Sequence, residues 1–128
     1  MKPLHITLLV SALLAALPAH AADDGKAVFE RVCAACHLPT GEGLPGAFPP
    51  VKQSDYVKKA TPAQLVKLLA NGLTGPVKVN GQSYNSAMPP QDLSDADMAS
   101  VINYLNNNLN GNKAQLTADQ VKKLRSAK

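Results

Sequence analysis

The stretch Cys33-Ala34-Ala35-Cys36-His37 decides what this chain is built around. Two thiols three positions apart, followed immediately by an imidazole, form the C-x-x-C-H signature of c-type haem attachment. Each cysteine adds across one haem vinyl group to form a thioether, and the histidine is then held against one face of the iron. The motif uses both cysteines of the 128-residue chain. We therefore predict one covalent haem c attached through Cys33 and Cys36, with His37 as an axial iron ligand.

The amino-terminal residues have the pattern of an export signal. Lys2 supplies a positive charge, residues 6–17 are almost wholly apolar, and Ala19-His20-Ala21 places small residues at both anchoring positions of a cleavage site. This pattern is typical of a secretory signal peptide, which we assign to residues 1–22. The apolar run is too short to span a bilayer, although an uncleaved membrane anchor is the alternative interpretation. We expect a periplasmic protein with no transmembrane anchor after cleavage.

Three other uses of the cysteine pair are considered for an exported protein. A disulfide would close a very short loop and would constrain the unfolded chain little. A thioredoxin-like redox pair requires a preceding strand, and no strand pattern precedes Cys33. A structural zinc site requires four ligands, and His37 is the only histidine outside the predicted signal peptide. Haem is the interpretation that uses all three side chains of the motif.

Charge and composition restrict the possible partners. The chain has 13 basic and 9 acidic side chains, no tryptophan and two phenylalanines. An exported chain this poor in aromatic residues is not expected to bind nucleic acid. The net positive charge is concentrated in the tail after Gly111, where five basic residues face one acidic residue. This tail is either solvated surface or a docking patch for an acidic partner.

Helical periodicity and capping residues predict one all-α domain over residues 23–111. Residues 38–50 hold seven glycines and prolines, so we expect a loop there, ordered because Leu44, Phe48 and Val51 need apolar cover. The predicted helices are 25–32 continuing into the haem motif, a short turn over 54–60, 62–71 capped by Thr61, and 95–110 capped by Ser94.

Two further elements are predicted around the last core helix. Residues 77–84 alternate around Asn80-Gly81, the preferred pair for a type I′ turn, and predict a small β-hairpin. Thr117 and Gln120 form a capping box, so residues 118–126 should form a short helix. We assign residues 112–128 as a basic helical extension that is appended to the domain.

Ligation of the iron by two histidines of this chain is excluded, because no second histidine follows the predicted signal peptide. A methionine thioether is the usual partner of a histidine in haem c proteins and raises the reduction potential. Met98 falls on the apolar stripe of a helix and pairs with Leu93 in a hydrophobic staple, which is typical of a core residue. Met88 lies outside any helix and precedes Pro89-Pro90, so a rigid loop can carry it to the iron. We predict Met88 as the ligand.

From Gly25 to Leu109 the chain resembles a class I c-type cytochrome. The haem motif lies near the start of the mature chain and a Met-Pro loop precedes the last helix, as in that family. Gly25, Phe29 and Tyr104 match the residues through which the family packs its first and last helices across each other. The resemblance implies a small cytochrome c fold of about four to five helices around one covalent haem, with a minor hairpin before the Met loop.

The resemblance also implies roles for individual loop residues. In the family, a proline carbonyl accepts the Nδ1–H of the ligand histidine and fixes its orientation. The matching residue here is Pro49, with Pro50 as the alternative. More narrowly, residues 43–50 and 75–81 resemble a bacterial subgroup of small periplasmic carriers and of haem subunits attached to oxidoreductases, such as copper nitrite reductases and periplasmic dehydrogenases.

A haem with both axial positions filled by protein leaves no open site for a substrate. We therefore expect a one-electron carrier that shuttles electrons between redox proteins and is not itself an enzyme. Exposed lysines could steer an acidic partner to the haem edge, or could be ordinary solvated residues; these are Lys52, Lys58, Lys59, Lys67 and Lys78. The alternatives are a haem subunit of a permanent oxidoreductase complex and a gas-binding or peroxidatic haem protein with an open sixth site.

Overall fold

The computed structural model describes residues 24–127, which form six α-helices and one two-stranded antiparallel sheet. The predicted helix-dominated fold with one minor hairpin is confirmed. Residues 1–22, assigned above as a signal peptide, lie outside the described residues. The elements in chain order are α1 (Gly25–Val32), α2 (Ala34–His37), α3 (Asp55–Lys59), α4 (Pro62–Asn71), β1 (Val77–Val79), β2 (Gln82–Tyr84), α5 (Asp95–Asn110) and α6 (Ala118–Ser126).

Side-chain caps set where the helices begin. The hydroxyls of Thr61 and Thr117 accept hydrogen bonds from the backbone N–H groups of Gln64 and Gln120, and both helices have complete capping boxes. Ser94 caps α5, which ends at Gly111. One boundary differs from the prediction: α1 does not continue into the haem motif, because a turn at Cys33 separates it from α2.

Helices α1 and α5 cross at close range and form the centre of the core. A Cβ atom at Gly25 would overlap the backbone carbonyl of Ser100, so only glycine permits this approach. The rings of Phe29 and Tyr104 pack with their centroids 5.6 Å apart and their planes at 48°. Phe29 and Met98 are both fully buried here. The crossing fixes α1, and therefore the haem motif that follows it, against the rest of the domain.

The segment after α5 is bound to that helix by asparagine side chains. Asn103 donates to the carbonyl of Leu116 at 2.9 Å and accepts from its N–H at 2.8 Å. Asn107 makes the same pair of bonds with Ala114, at 2.9 and 2.6 Å. From Asn103 to Asn107 a helix advances about 6 Å, and from Ala114 to Leu116 an extended chain advances about 6.6 Å. The spacing of the two asparagines therefore matches the spacing of their backbone partners. We call these two residue pairs the asparagine seam.

The seam leads into α6, which closes the core. Helix α6 packs against both α4 and α5 and buries Val121 completely. Arg125 donates to Asp95 at 2.9 Å and to the carbonyl of Leu93 at 2.8 Å. The extension expected as an appendage is therefore packed as part of the same hydrophobic core.

The hairpin is anchored on α3 through its turn. The side chain of Asn80 accepts from the N–H of Asp55 at 2.8 Å and donates to the carbonyl of Gln53 at 3.0 Å. The N–H of Asn80 donates back to the Asp55 carboxylate at 2.7 Å. These bonds hold Val79, which is buried, against the body of the protein. A two-stranded hairpin is marginal in water, and this anchoring accounts for its presence.

Candidate haem site

An open apolar cavity of about 230 Å³ lies between α1, α2, α4, the hairpin and the loops on either side of α3. Protein interiors normally contain few voids larger than a water molecule. A space of this size in a small domain is therefore a binding site, and its composition selects an apolar occupant. None of the residues that line it is Asp, Glu, Lys or Arg. Its aliphatic wall includes Leu65, Leu68 and Leu69 of α4.

The three side chains of the haem motif line one wall of this cavity. Backbone bonds from the N–H groups of Cys36 and His37 to the carbonyl of Cys33, at 3.2 and 2.9 Å, close a single turn that brings the thiols and the imidazole together. Burial, with a smaller contribution from the charge of Cys36, raises the pKa of the Cys33 thiol to about 11. A thiol that stays protonated at neutral pH is unlike the low-pKa thiolates of redox-active cysteines.

His37 is held in the form that a metal ligand requires. Its Nδ1 lies 2.8 Å from the carbonyl oxygen of Pro49, which can only accept, so Nδ1 carries the proton and donates. Burial lowers the pKa of the imidazole, while the Pro49 hydrogen bond opposes that shift. The ring is therefore neutral at pH 7, with the Nε2 lone pair available as a ligand. Of the two prolines considered, the structure places Pro49 against the ring.

Met88 also lines the cavity, and its backbone is fixed at the end of α4. Met88 and Leu73 exchange two backbone hydrogen bonds of 2.8 and 2.9 Å. A Cβ atom at Gly72 would overlap the carbonyl of Met88, and the φ of Gly72 is +73°, so this contact requires glycine. Met98 is fully buried in α5 and is not among the cavity-lining residues. The structure thus brings Met88, and not Met98, to the same cavity as His37.

The anchoring residues Gly72 and Leu73 were not found from the sequence. The sequence signal was limited to Asn71-Gly72, which predicts the end of α4. That signal does not show which distant segment pairs with the residues after the helix. A Met-Pro loop following a helix that ends in glycine is a pattern that could have suggested the pairing.

The loop between α2 and α3 is ordered, with one difference from the expectation. Phe48 and Val51 line the cavity as expected. Leu44 does not line it and is 49% exposed. The reason is local geometry: Leu44 and Phe48 pair across a tight turn, which directs Phe48 to the cavity and leaves Leu44 at the surface.

These residues fit a covalently attached haem. The cavity offers two thiols on one turn, a neutral imidazole oriented by a backbone carbonyl, a thioether on a fixed loop and apolar walls. A zinc ion would gain only Cys33, Cys36 and His37 from this set, and the remaining walls would be unsuited to a hydrated cation. Within residues 24–127 no helix is both long enough and apolar enough to cross a membrane.

Comparison with known proteins agrees with this fit. The family model for cytochrome c matches residues 22–109, which is more than half of the chain. The chain is 35% identical over 131 residues to cytochrome c-552 of Thermus thermophilus, covering 95% of this chain and 87% of that protein.

Longer proteins also contain a similar segment. The chain is 31% identical over 105 residues to the cytochrome c subunit of the quinone alcohol dehydrogenase of Gluconobacter oxydans, covering 80% of this chain but 22% of that subunit. It is 28% identical over 108 residues to the fructose dehydrogenase cytochrome subunit of Gluconobacter japonicus, with 80% and 22% covered. The chain therefore belongs to the cytochrome c family, as a class I c-type cytochrome whose cofactor is covalently bound haem c and whose activity is haem electron transfer.

Proposed function

We propose that this chain is a periplasmic one-electron carrier whose haem iron is held by His37 on one side and Met88 on the other. Cys33 and Cys36 form the two thioethers, and Pro49 orients the imidazole of His37. The observation that carries the proposal is that His37 and Met88 line one cavity, whereas Met98 is buried in α5 outside it. The only other methionine is Met1, at the start of the predicted signal peptide.

The residues around the site suit a haem iron that is oxidised and reduced by one electron while it keeps the same two ligands. A haem held by histidine and methionine supplies a one-electron couple with a raised reduction potential. The Pro49 carbonyl keeps the imidazole in one tautomer and orientation. The hydrogen bonds between Met88 and Leu73 restrict movement of the thioether-bearing loop. With both ligand positions supplied by the chain, no position is left for a substrate.

The ligand assignment is tested by spectroscopy of the oxidised holoprotein. The Met88→Ala variant should lose the weak near-infrared band that arises from a methionine–iron bond. The matched Met98→Leu variant should keep it, because leucine preserves the packing of the core. Retention of the band in Met88→Ala, or its loss in Met98→Leu, would contradict the assignment.

We further propose that residues 1–22 are removed on export, leaving a haem domain over 23–111 and an extension over 112–128. The family match begins at residue 22, next to the cleavage position expected near Ala21 or Ala22. Intact mass measurement of protein purified from the periplasm should show a chain beginning at Ala22 or Asp23 with one added haem. A full-length mass in the membrane fraction would support an uncleaved anchor instead.

A second candidate function is that of a haem subunit in a permanent oxidoreductase complex. The similarity to cytochrome subunits of two dehydrogenases favours it, although the chain spans 22% of each. Size-exclusion chromatography of the natively expressed protein separates the two. The carrier proposal predicts elution at the size of the single chain, whereas a permanent subunit would elute with a dehydrogenase.

A further inference from the structure

Two segments beside the haem cavity carry no formal charge, and the exposed Lys78 and Asp92 border the second of them. Residues 43–51 and 79–91, which form much of the cavity mouth, contain no Asp, Glu, Lys or Arg. Glu42 and Lys52, which border the first of these segments, pair with each other at 3.1 Å. The 13 basic side chains of the chain therefore lie outside these segments.

Two leucines stand out on this surface. Leu38 is 39% exposed and Leu44 is 49% exposed, and they are the large hydrophobic side chains left exposed among residues 24–127. His37 directly precedes Leu38, and Gly43 directly precedes Leu44. A backbone hydrogen bond of 2.9 Å from the N–H of Gly43 to the carbonyl of His37 joins these two positions. We call Leu38, Leu44, Ala47 and Ala87 the uncharged face.

The uncharged face is held rigidly. Leu44, Pro45, Gly46 and Ala47 form a turn closed by a 3.0 Å bond from the N–H of Ala47 to the carbonyl of Leu44, and Gly46 has a φ of +78°. The hydroxyl of Ser86 donates to the carbonyl of Ala47 at 2.8 Å and joins this turn to the loop that carries Met88. A surface that is already ordered loses little conformational entropy when a partner binds.

Leu38, which ends α2 and precedes Pro39, combines an unusual backbone conformation with an exposed side chain. Its φ and ψ are 63° and 155°, a region that is strained for any residue except glycine. Its side chain is also exposed, so the strain is not offset by burial in the core. The exposed apolar side chain is accounted for if it contacts another protein.

We propose that the uncharged face is the docking surface for a redox partner whose own contact surface is apolar and uncharged. This inference rests on the proposed carrier function and names the class of partner. Charge determines the choice: a charged partner surface would lose its hydration on this face and find no opposite charge to replace it. Burial of Leu38 and Leu44 would supply the attraction instead. The exposed lysines considered above would then not set the strength of docking.

A second copy of the holoprotein is a suitable probe, because it presents the same uncharged apolar surface. The measurement is the electron self-exchange rate of mixed oxidised and reduced holoprotein, obtained from NMR line broadening at low and high ionic strength. We expect the rate of the unmodified protein to change less than about twofold with salt, because uncharged contacts are not screened. Leu38→Ser and Leu44→Ser should each lower it about tenfold, as expected for loss of a central apolar contact.

Two further variants complete the design. Lys67→Ser removes an exposed side chain from α4 that does not line the cavity and should leave the rate unchanged. Leu44→Lys should lower the rate and make it rise with salt, because two lysines would then face each other across the encounter. Absorption spectra and reduction potentials of all four variants should match those of the unmodified protein.

The inference is overturned if both serine variants exchange at the unmodified rate. It is also overturned if Lys67→Ser lowers the rate as much as they do, or if the unmodified protein is steeply salt-dependent, which would favour an acidic partner steered by lysines. Fast exchange that is insensitive to the leucines would refute the inference and leave the carrier proposal intact. Exchange too slow to detect in the unmodified protein would overturn the inference alone, whereas a holoprotein with no reversible one-electron couple would refute the carrier proposal as well.

Discussion

The haem loops (residues 38–51 and 85–91) and the extension at the asparagine seam both lack regular secondary structure. Different kinds of hydrogen bond hold each of them in place. In the haem loops most hydrogen bonds join backbone groups, as between Met88 and Leu73 or Leu44 and Phe48, and the Ser86 hydroxyl adds a bond to the carbonyl of Ala47. In the seam, the side chains of Asn103 and Asn107 bind the backbone of the extension. Backbone-to-backbone bonds leave most side chains of the haem loops available to line the cavity or contact a partner. In the seam, the asparagine side chains are occupied by their hydrogen bonds to the extension. The haem loops should therefore be sensitive to backbone changes and the seam to side-chain changes.

Gly72→Ala should give the largest effect, because it acts on the backbone contact that positions Met88. The new Cβ would overlap the Met88 carbonyl at a φ of +73°, and we expect strain and overpacking to lower the free energy of unfolding by about 4 kcal/mol. Gly46→Ala is the matched control, since Gly46 has a similar φ of +78° but open space around it, and should cost about 1 kcal/mol. Guanidinium unfolding measures both values.

The near-infrared band distinguishes the two glycine variants further. It should weaken in Gly72→Ala, because the thioether is displaced, and persist in Gly46→Ala. Equal unfolding costs and equal spectra would mean that the contact between Gly72 and Met88 does not position the ligand.

Asn107→Ala and Asn103→Ala should each lower the free energy of unfolding by about 1–2 kcal/mol, because each removes two hydrogen bonds to the extension. Asn108→Ala, at an exposed position on the same helix, should stay within about 0.5 kcal/mol of the unmodified protein. The haem spectrum should be the same in all three. A spectral change in the seam variants would show that the two regions are coupled, contrary to the comparison above.

Leu38→Gly should raise the free energy of unfolding by about 1 kcal/mol, because relief of the strained backbone outweighs the greater entropy of glycine in the unfolded chain. The same variant should exchange electrons more slowly, because the exposed side chain is lost. Denaturation and self-exchange measured on one preparation check both effects. A variant that is less stable would mean that the Leu38 side chain contributes more to folding than its conformation costs.

Asp55→Asn should have the smallest effect, and it should depend on pH. The N–H of Asn80, with help from Lys59, lowers the pKa of the exposed Asp55 carboxyl in the folded protein. Its contribution to stability is therefore present above the ordinary pKa of the unfolded carboxyl and is lost as the pH falls through the lowered folded value. Denaturation midpoints of the variant and the unmodified protein should differ at about pH 5 and converge towards about pH 2. Parallel curves would contradict this role.

Local signals in the sequence were enough to predict where three of the helices begin and to choose between the two methionines as the proposed ligand. Thr61, Ser94 and Thr117 act on N–H groups within three residues, so the helix starts they predict do not depend on the rest of the fold. Met88 was chosen over Met98 because Met88 lies in a loop, whereas Met98 lies on the apolar face of a helix. Both judgements needed only a few neighbouring residues.

Contacts between distant segments could not be predicted in this way. The asparagines of α5 are unfavourable in a helix by propensity, and their use becomes clear only when residues 114 and 116 are seen beside them. Leu44 was expected to be covered because it is apolar, but its exposure depends on how the turn to Phe48 is oriented. Such features follow from tertiary placement, which sequence spacing alone does not specify.

The central claim, that Met88 and not Met98 completes the haem site, is tested most directly by NMR of holoprotein labelled with [methyl-¹³C]methionine. Outside residues 1–22, the proposed signal peptide, the chain contains only these two methionines. In the reduced protein a methyl group bound at the iron lies over the haem ring, so its signal is shifted far upfield by the ring current. The account predicts one such signal, which disappears in Met88→Ala and persists in Met98→Leu. An upfield signal that persists in Met88→Ala, or no upfield signal at all, would contradict it.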